Sequence, residues 1–245
     1  MIELAPDTLN KLREVSTATV TAQLIKIARL RTRSPLGVKP LDPNKARFVG
    51  PAVTLRYAPM REDLDARAST ANPDNPTRIA IETATPGSVL VIDTGGCVGV
   101  GTIGDILGAR LIYRGIAGVI ADGAMRDVGP LAQMSLPIQC RASAPPPSSG
   151  ALLAVGTGEA IGCGGVLVEP GDIVCADEDG TVIIPRHLAD RVARDGLEQE
   201  EIEVFIKARV LAGEPIEGFY PATERTLLEY EAWIAAGRPG ILPVA

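Results

Sequence analysis

The chain has 245 residues, 46% hydrophobic and 22% charged, with a formal charge of −6 at pH 7. That composition supports a buried core and excludes a disordered chain. A single histidine, His187, excludes a His-rich zinc centre within one chain, and three Phe, four Tyr and one Trp on an acidic chain argue against a nucleic-acid stacking surface.

The four cysteines, Cys97, Cys140, Cys163 and Cys175, form no C-x-x-C pair. The N-terminal MIELAPDTLNKL lacks the basic and apolar regions of a signal peptide, and no run reaches the roughly 18 apolar residues of a membrane span. Reduced thiols in a cytoplasmic protein are the expectation, with no membrane or nucleic-acid partner.

Residues 8–30 carry Leu9, Leu12, Val15, Leu24, Ile27 and Leu30 near helical spacing, and STATVT at 16–21 marks a helix boundary. FVGPAVTLRY at 48–57 alternates as a strand. The polar segment 58–78, with three prolines, reads as a functional excursion from the domain. SVLVID (88–93), GDILGARLIYRG (104–115) and AGVIAD (117–122) predict strand, helix and strand, a βαβ unit with a right-handed crossover. Gly115 suits the helix C-cap. A short helix from MRDVGPLAQM and a strand at 136–140 follow. Beyond the proline-rich RASAPPPSSG, residues 162–185 predict three short strands separated by turns. An amphipathic helix over about 185–212 and a shorter one near 222–236 complete a single α/β domain over 1–245. Its core spans about 10–190 and its C-terminal helical extension about 190–245.

Residues 99–104 read Gly-Val-Gly-Thr-Ile-Gly, a literal G-x-G-x-x-G, with Asp122 ending the next strand where a ribose-binding acid would lie. Against dinucleotide binding, TGGCV intervenes between the strand and the first glycine. The anion-binding physics of a Gly-rich turn at a helix N-terminus remains available to a substrate carboxylate.

Gly104-Asp105 sits on that turn and Arg126-Asp127 just beyond the next strand, with twenty residues between Asp105 and Arg126. The crossover predicts that both pairs meet at the carboxyl ends of neighbouring strands. Two carboxylates suit a hard divalent cation, and a guanidinium clamps a carboxylate bidentately. A small 2-oxo acid fits such a site.

The wording GDILGARLIYRGIAGVIADGAMRDV, followed by IGCGGVLVEPGDIVCADEDGTVIIP, resembles the family that joins the RraA regulators of ribonuclease E to 4-hydroxy-4-methyl-2-oxoglutarate aldolases. The likeness covers about residues 10–190, and the D-x20-R-D signature is intact as Asp105, Arg126 and Asp127. The resemblance implies a β/β/α sandwich of the phosphohistidine swivelling kind, in a homotrimer or a hexamer built as a dimer of trimers. It implies that Asp127 binds Mg2+ or Mn2+ directly and Asp105 through water, and that Arg126 holds the pyruvoyl oxygen or carboxylate. Carboxylate binding is completed, on the same ground, by the N–H groups of Ile106 and Leu107 beside Gly104. The implied activity is a metal-dependent pyruvate aldolase with oxaloacetate decarboxylation, and the alternative is a non-catalytic regulator that docks on protein. A dinucleotide-dependent oxidoreductase is the third reading.

The family's aldolases carry an acidic residue in the N-terminal helical region, donated across the subunit interface. Here that stretch, TATVTAQL at 17–24, has no carboxylate: either another group replaces it, with Glu62 or Asp63 as candidates, or the substrate differs, a hydroxylated 2-oxo acid from sugar-acid breakdown being open. Arg61, Glu62 and Asp63 otherwise read as a charged loop. Gly162, Gly164 and Gly165 read as pocket-lining or turn residues, Cys163 as a small turn or core residue, and His187 as a solvated one.

Overall fold

The computed structural model of the chain describes residues 3–69 and 71–239. Among them are α1 (Thr8–Glu14), α2 (Thr17–Ala28), β1 (Lys39–Pro40), β2 (Phe48–Pro59), α3 (Asp65–Ala68), α4 (Pro76–Thr83) and β3 (Val89–Asp93). Next come α5 (Asp105–Tyr113), β4 (Gly118–Ala121), β5 (Ala124–Met125), α6 (Val128–Gln133), β6 (Ile138–Cys140), β7 (Ala142–Ser143) and β8 (Leu152–Thr157). The chain continues through β9 (Ile161–Cys163), β10 (Val166–Val168), β11 (Ile173–Ala176), β12 (Thr181–Ile184), α7 (Ala189–Leu211) and α8 (Glu224–Ala235).

The STATVT boundary falls where expected, because Ser16 leaves the helical region and its side chain accepts the Thr19 N–H. Asp177, from the turn after β11, fixes the new helix by accepting both the Thr17 N–H and the Thr17 hydroxyl at 2.7 Å.

An eight-stranded mixed sheet runs β1-β6-β4-β3-β2-β11-β12, with β8 also paired to β2. The twelve-residue β2 organises it. On one edge Ala52–Arg56 pair in parallel with β3. On the other, Phe48–Pro51 pair with β11 and Leu55–Pro59 with β8, both antiparallel, with a register shift between Arg56 and Tyr57. A strand that changes partners along its length curls the sheet. The predicted βαβ unit is present as β3, α5 and the parallel β4.

The central strands are buried on both faces, as their continuous apolar runs require. Leu90 and Ile92 pack with Leu55, Ile81 and Leu111, whereas Val89 and Val91 pack on the opposite face with Val166, Val174 and Ile183. A third cluster seats Leu12, Val20, Leu24 and Val192, from α1, α2 and α7, on β11 and β12. Phe205, Phe219, Tyr230 and Trp233 join α7 to α8 in a separate aromatic cluster.

Two expectations change. Residues 161–184 hold four strands instead of three, because Gly164 and Gly165 adopt positive φ and close a tight β9–β10 hairpin that the glycine-rich sequence conceals. The long helix begins at Ala189, since Arg186–Leu188 form a 3-10 turn first. No helix among the described residues is long and apolar enough to cross a membrane.

Candidate active site

The segment after β3 places the Gly-rich turn beside the chain that leaves β4. Gly101 bridges to both Ala124 and Pro147, the Thr102 N–H donates to Ala124 O, and the Arg126 N–H donates to Ile103 O at 3.0 Å. These bonds hold Arg126 and Asp127 against the start of α5. The approach requires glycine twice: a Cβ on Gly101 would lie 2.7 Å from Arg126 Cβ, and one on Gly104 would lie 2.5 Å from Asp127 Oδ2. Asp127 itself is left-handed, with φ 52° and ψ 40°, a conformation that costs a non-glycine residue energy and is concentrated at functional sites.

All six sequence-predicted site residues (Gly104, Asp105, Ile106, Leu107, Arg126 and Asp127) line one cavity of about 590 Å³. That size suits a small ligand. Gly104 caps α5, whose first helical bond runs from the Gly108 N–H to Gly104 O. The amides of Asp105, Ile106 and Leu107 therefore precede the helical ladder and carry the positive end of the helix dipole. The Ile106 N–H is engaged by Asp105 Oδ1 at 2.8 Å, so a ligand carboxylate would have to displace that contact.

Arg126 Nε stands 3.5 Å from Asp127 Oδ2, and both side chains are part-exposed. The pair lacks hydrogen-bond geometry, and Arg126 Nε is a buried donor without a hydrogen-bond partner. Such a donor is costly unless something completes it.

The donor set also bears on a cation. Among the described residues no group of three or more His, Cys, Asp or Glu side chains is placed to hold a metal, which rules out an all-protein cage there. Two carboxylates in a polar cavity fit an oxygen-seeking ion that keeps most of its waters, the habit of Mg2+.

The same cavity is lined by residues that sequence reasoning did not single out. They are Tyr57 from β2, Thr77 from α4 and Ser148 from the turn before β8, the last directly after Pro147, to which Gly101 bridges. The Tyr57 hydroxyl meets Thr77 Oγ1 at 2.7 Å. Burial pushes the Tyr57 phenol up from its ordinary value, against the opposing hydrogen bonds of Thr77 and Ser148. Asn75 caps α4 by accepting the Thr77 N–H, and its amide holds Ala68 O and Ser69 O, bringing the 58–78 excursion over the cavity. The Asn-Pro pair at 75–76 was the one signal available for this wall.

Glu62 and Asp63 are not among the lining residues. Asp63 is paired with Arg61 at the surface instead. Gly162, Gly164 and Gly165 belong to the β9–β10 hairpin and do not line the cavity. Cys163 is buried, its thiol pushed up by that burial, and His187 is exposed. Asp122 is buried, with Oδ1 taken by Thr94 and Oδ2 by the Gly164 N–H, so it presents no carboxylate to a ribose.

Residues 17–183 match the family model described as RraA-like, Aldolase/RraA. A protein of Halalkalibacterium halodurans, provisionally named 4-hydroxy-4-methyl-2-oxoglutarate aldolase, is 30% identical over 190 residues, 76% of this chain and 80% of its own length. A protein of Albidiferax ferrireducens with the same provisional name is 36% identical over 139 residues, 56% of this chain and 75% of its own. Among solved structures, RraAS2 of Streptomyces coelicolor, described as an unusual member of the RNase ES inhibitor RraA family, aligns with a TM-score of 0.75. It is 30% identical, and the alignment covers 84% of this chain and 99% of that one.

Proposed function

From the premise that the chain belongs to the RraA-like family, we propose that it is a divalent-metal-dependent carbon–carbon lyase. It cleaves a 4-hydroxy-2-oxo acid to pyruvate and a carbonyl product and decarboxylates oxaloacetate through the same enolate. The observation that carries this reading is the convergence of Asp105, Arg126 and Asp127 on the first-turn amides of α5, with the Arg126 Nε donor buried and without a hydrogen-bond partner. In the same reading the curled sheet is of the swivelling β/β/α kind. The chain works as a homotrimer or hexamer, in which another copy covers Ile106, 80% exposed beside the cavity.

The substrate carboxylate lies on the α5 amides, with Arg126 against the pyruvoyl oxygen. Asp127 and, through water, Asp105 would hold Mg2+ or Mn2+, which when bound supplies Lewis-acid stabilisation of negative charge at the keto oxygen. A water held by Asp105 takes the C4 hydroxyl proton. As the C4 carbonyl forms, the C3–C4 bond breaks and its electron pair passes to C3 and the keto oxygen as the enolate of pyruvate. The fixed charge of Arg126 faces that oxygen as charge develops. The same water returns that proton to C3, which releases pyruvate.

The test is a coupled pyruvate-release assay on oxaloacetate and several 4-hydroxy-2-oxo acids, with and without EDTA. Pyruvate appears with Mg2+ or Mn2+ and disappears with EDTA. No pyruvate from any of them would defeat the proposal. A regulator that docks on protein is the second reading, favoured by the likeness to RraAS2. It needs no intact cavity, so cavity variants would leave its binding unchanged.

A further inference from the structure

The two sides of the cavity differ in chemistry. The Arg126 side carries the charge: two carboxylates, one guanidinium and the α5 amides. The rest of the described lining is neutral and rich in hydroxyls, with Tyr57, Ser69, Thr77, Ser148 and Ser149 among its residues. Arg126 is the only cation lining the cavity among the described residues. Three described guanidiniums nearby are committed elsewhere: Arg78 donates to Ala71 O, Arg110 is held bidentately by Glu82, and Arg61 pairs with Asp63.

Once a 2-oxo carboxylate occupies Arg126 and the α5 amides, a second carboxylate at the far end of the substrate would meet no counter-charge among the described residues. It would lose its water for neutral hydroxyls that already bond one another, at a desolvation cost they only partly offset. A hydroxylated chain carries no such penalty. Each of its hydroxyls both donates and accepts, as do Tyr57, Thr77 and Ser148.

We infer that the Tyr57–Thr77–Ser148 wall is a specificity subsite that selects 2-oxo acids with a neutral, hydroxylated chain beyond C4 over dicarboxylates. The inference rests on the lyase reading for the reaction, in which the products become pyruvate and a hydroxyaldehyde. It differs in substrate class from the dicarboxylate in the relatives' names.

Two probes of equal chain length separate the subsite from the chemistry. 5-Hydroxy-2-oxopentanoate and 2-oxoglutarate lack a C4 hydroxyl, so neither can undergo the cleavage, and they differ only in a terminal CH2OH against a carboxylate. Calorimetric titration of the protein with Mg2+ is expected to show the hydroxylated probe binding at least about tenfold more tightly. Thr77→Val is expected to weaken that probe about five- to tenfold, the loss of one neutral hydrogen bond, while leaving 2-oxoglutarate unchanged. Ser149→Arg, at an exposed position, is expected to narrow or reverse the preference. Equal or tighter binding of 2-oxoglutarate by the unaltered protein would overturn the inference. A parallel pyruvate assay on a six-carbon 3-deoxy-2-oxo-aldonic acid and on 4-hydroxy-4-methyl-2-oxoglutarate reads the reaction separately. Cleavage of neither with the binding preference intact defeats the lyase and leaves the subsite standing, whereas faster cleavage of the dicarboxylate defeats the subsite alone.

Discussion

Gly104 and Asp127 are packed so closely that a single added carbon would separate them. A Cβ built on Gly104 falls 2.5 Å from Asp127 Oδ2, inside the limit for any real contact. The backbone of Gly104, at φ −112° and ψ −173°, is open to every residue type, so the glycine serves the approach and not the turn.

Gly104→Ala should therefore spare the fold and displace the carboxylate. A shift of about 1 Å at a reacting centre costs on the order of 100-fold in rate, and kcat/KM for pyruvate release is expected to fall by about that factor. The melting temperature should move little. An alanine enzyme with normal turnover would show that Asp127 need not sit against the helix start.

Arg126→Ala removes the buried, unpartnered Nε together with the guanidinium, so the protein should remain folded while kcat drops by roughly 100- to 1,000-fold. Arg126→Lys should rescue little, because an ammonium cannot reproduce the planar fork. Full turnover in either variant would remove Arg126 from the mechanism. The alanine variant also separates the two functional readings, since a protein-docking regulator would retain its binding.

The near side of the cavity was legible in the sequence because local rules place it. Apolar runs give β3 and β4, the intervening helix fixes a parallel crossover, and Asp105 and Arg126 must then emerge at one end of the sheet. The far side depends on long-range pairing. Tyr57 meets Ser148 only because β2 exchanges β11 for β8 along its length, and the break at RASAPPPSSG before LLAVGT does not show which strand β8 joins. The curl of the sheet, set by partner exchange and a register shift at Arg56/Tyr57, leaves no local trace either. Asn75 was readable as a helix cap, but its second task of holding Ala68 and Ser69 over the cavity was not.

Thiol chemistry can be separated from this site by labelling. Cys140, Cys163 and Cys175 are buried, and burial pushes each thiol up from its ordinary value, which suppresses the reactive thiolate. Cys97 alone among the four is part-exposed. An aromatic disulfide reagent should titrate one thiol per chain rapidly in the native protein and four after unfolding. Cys163→Ala should keep full activity; loss of turnover in a folded Cys163→Ala protein would reinstate a cysteine nucleophile.

Removing the metal should abolish turnover without unfolding the chain. A structural metal is held by several protein ligands and contributes its binding energy to folding, so a chelator lowers the melting temperature. Here the candidate donors are the carboxylates of Asp105 and Asp127, and no described trio of ligating side chains surrounds them. The buried clusters on both faces of the sheet are apolar and need no ion, although Tyr57, Leu152 and Ala154 of one also line the cavity. EDTA should therefore stop pyruvate release with little change in the melting curve, and added Mg2+ or Mn2+ should restore it. Asp127→Asn keeps the shape and removes the charge, and Mn2+ titration by paramagnetic resonance should show affinity weakened at least about tenfold. Asp105→Asn should weaken Mn2+ less, because its contact runs through water, while lowering kcat through the lost water-holding carboxylate. Equal Mn2+ affinity in the Asp127→Asn variant and the unaltered protein would place the ion elsewhere.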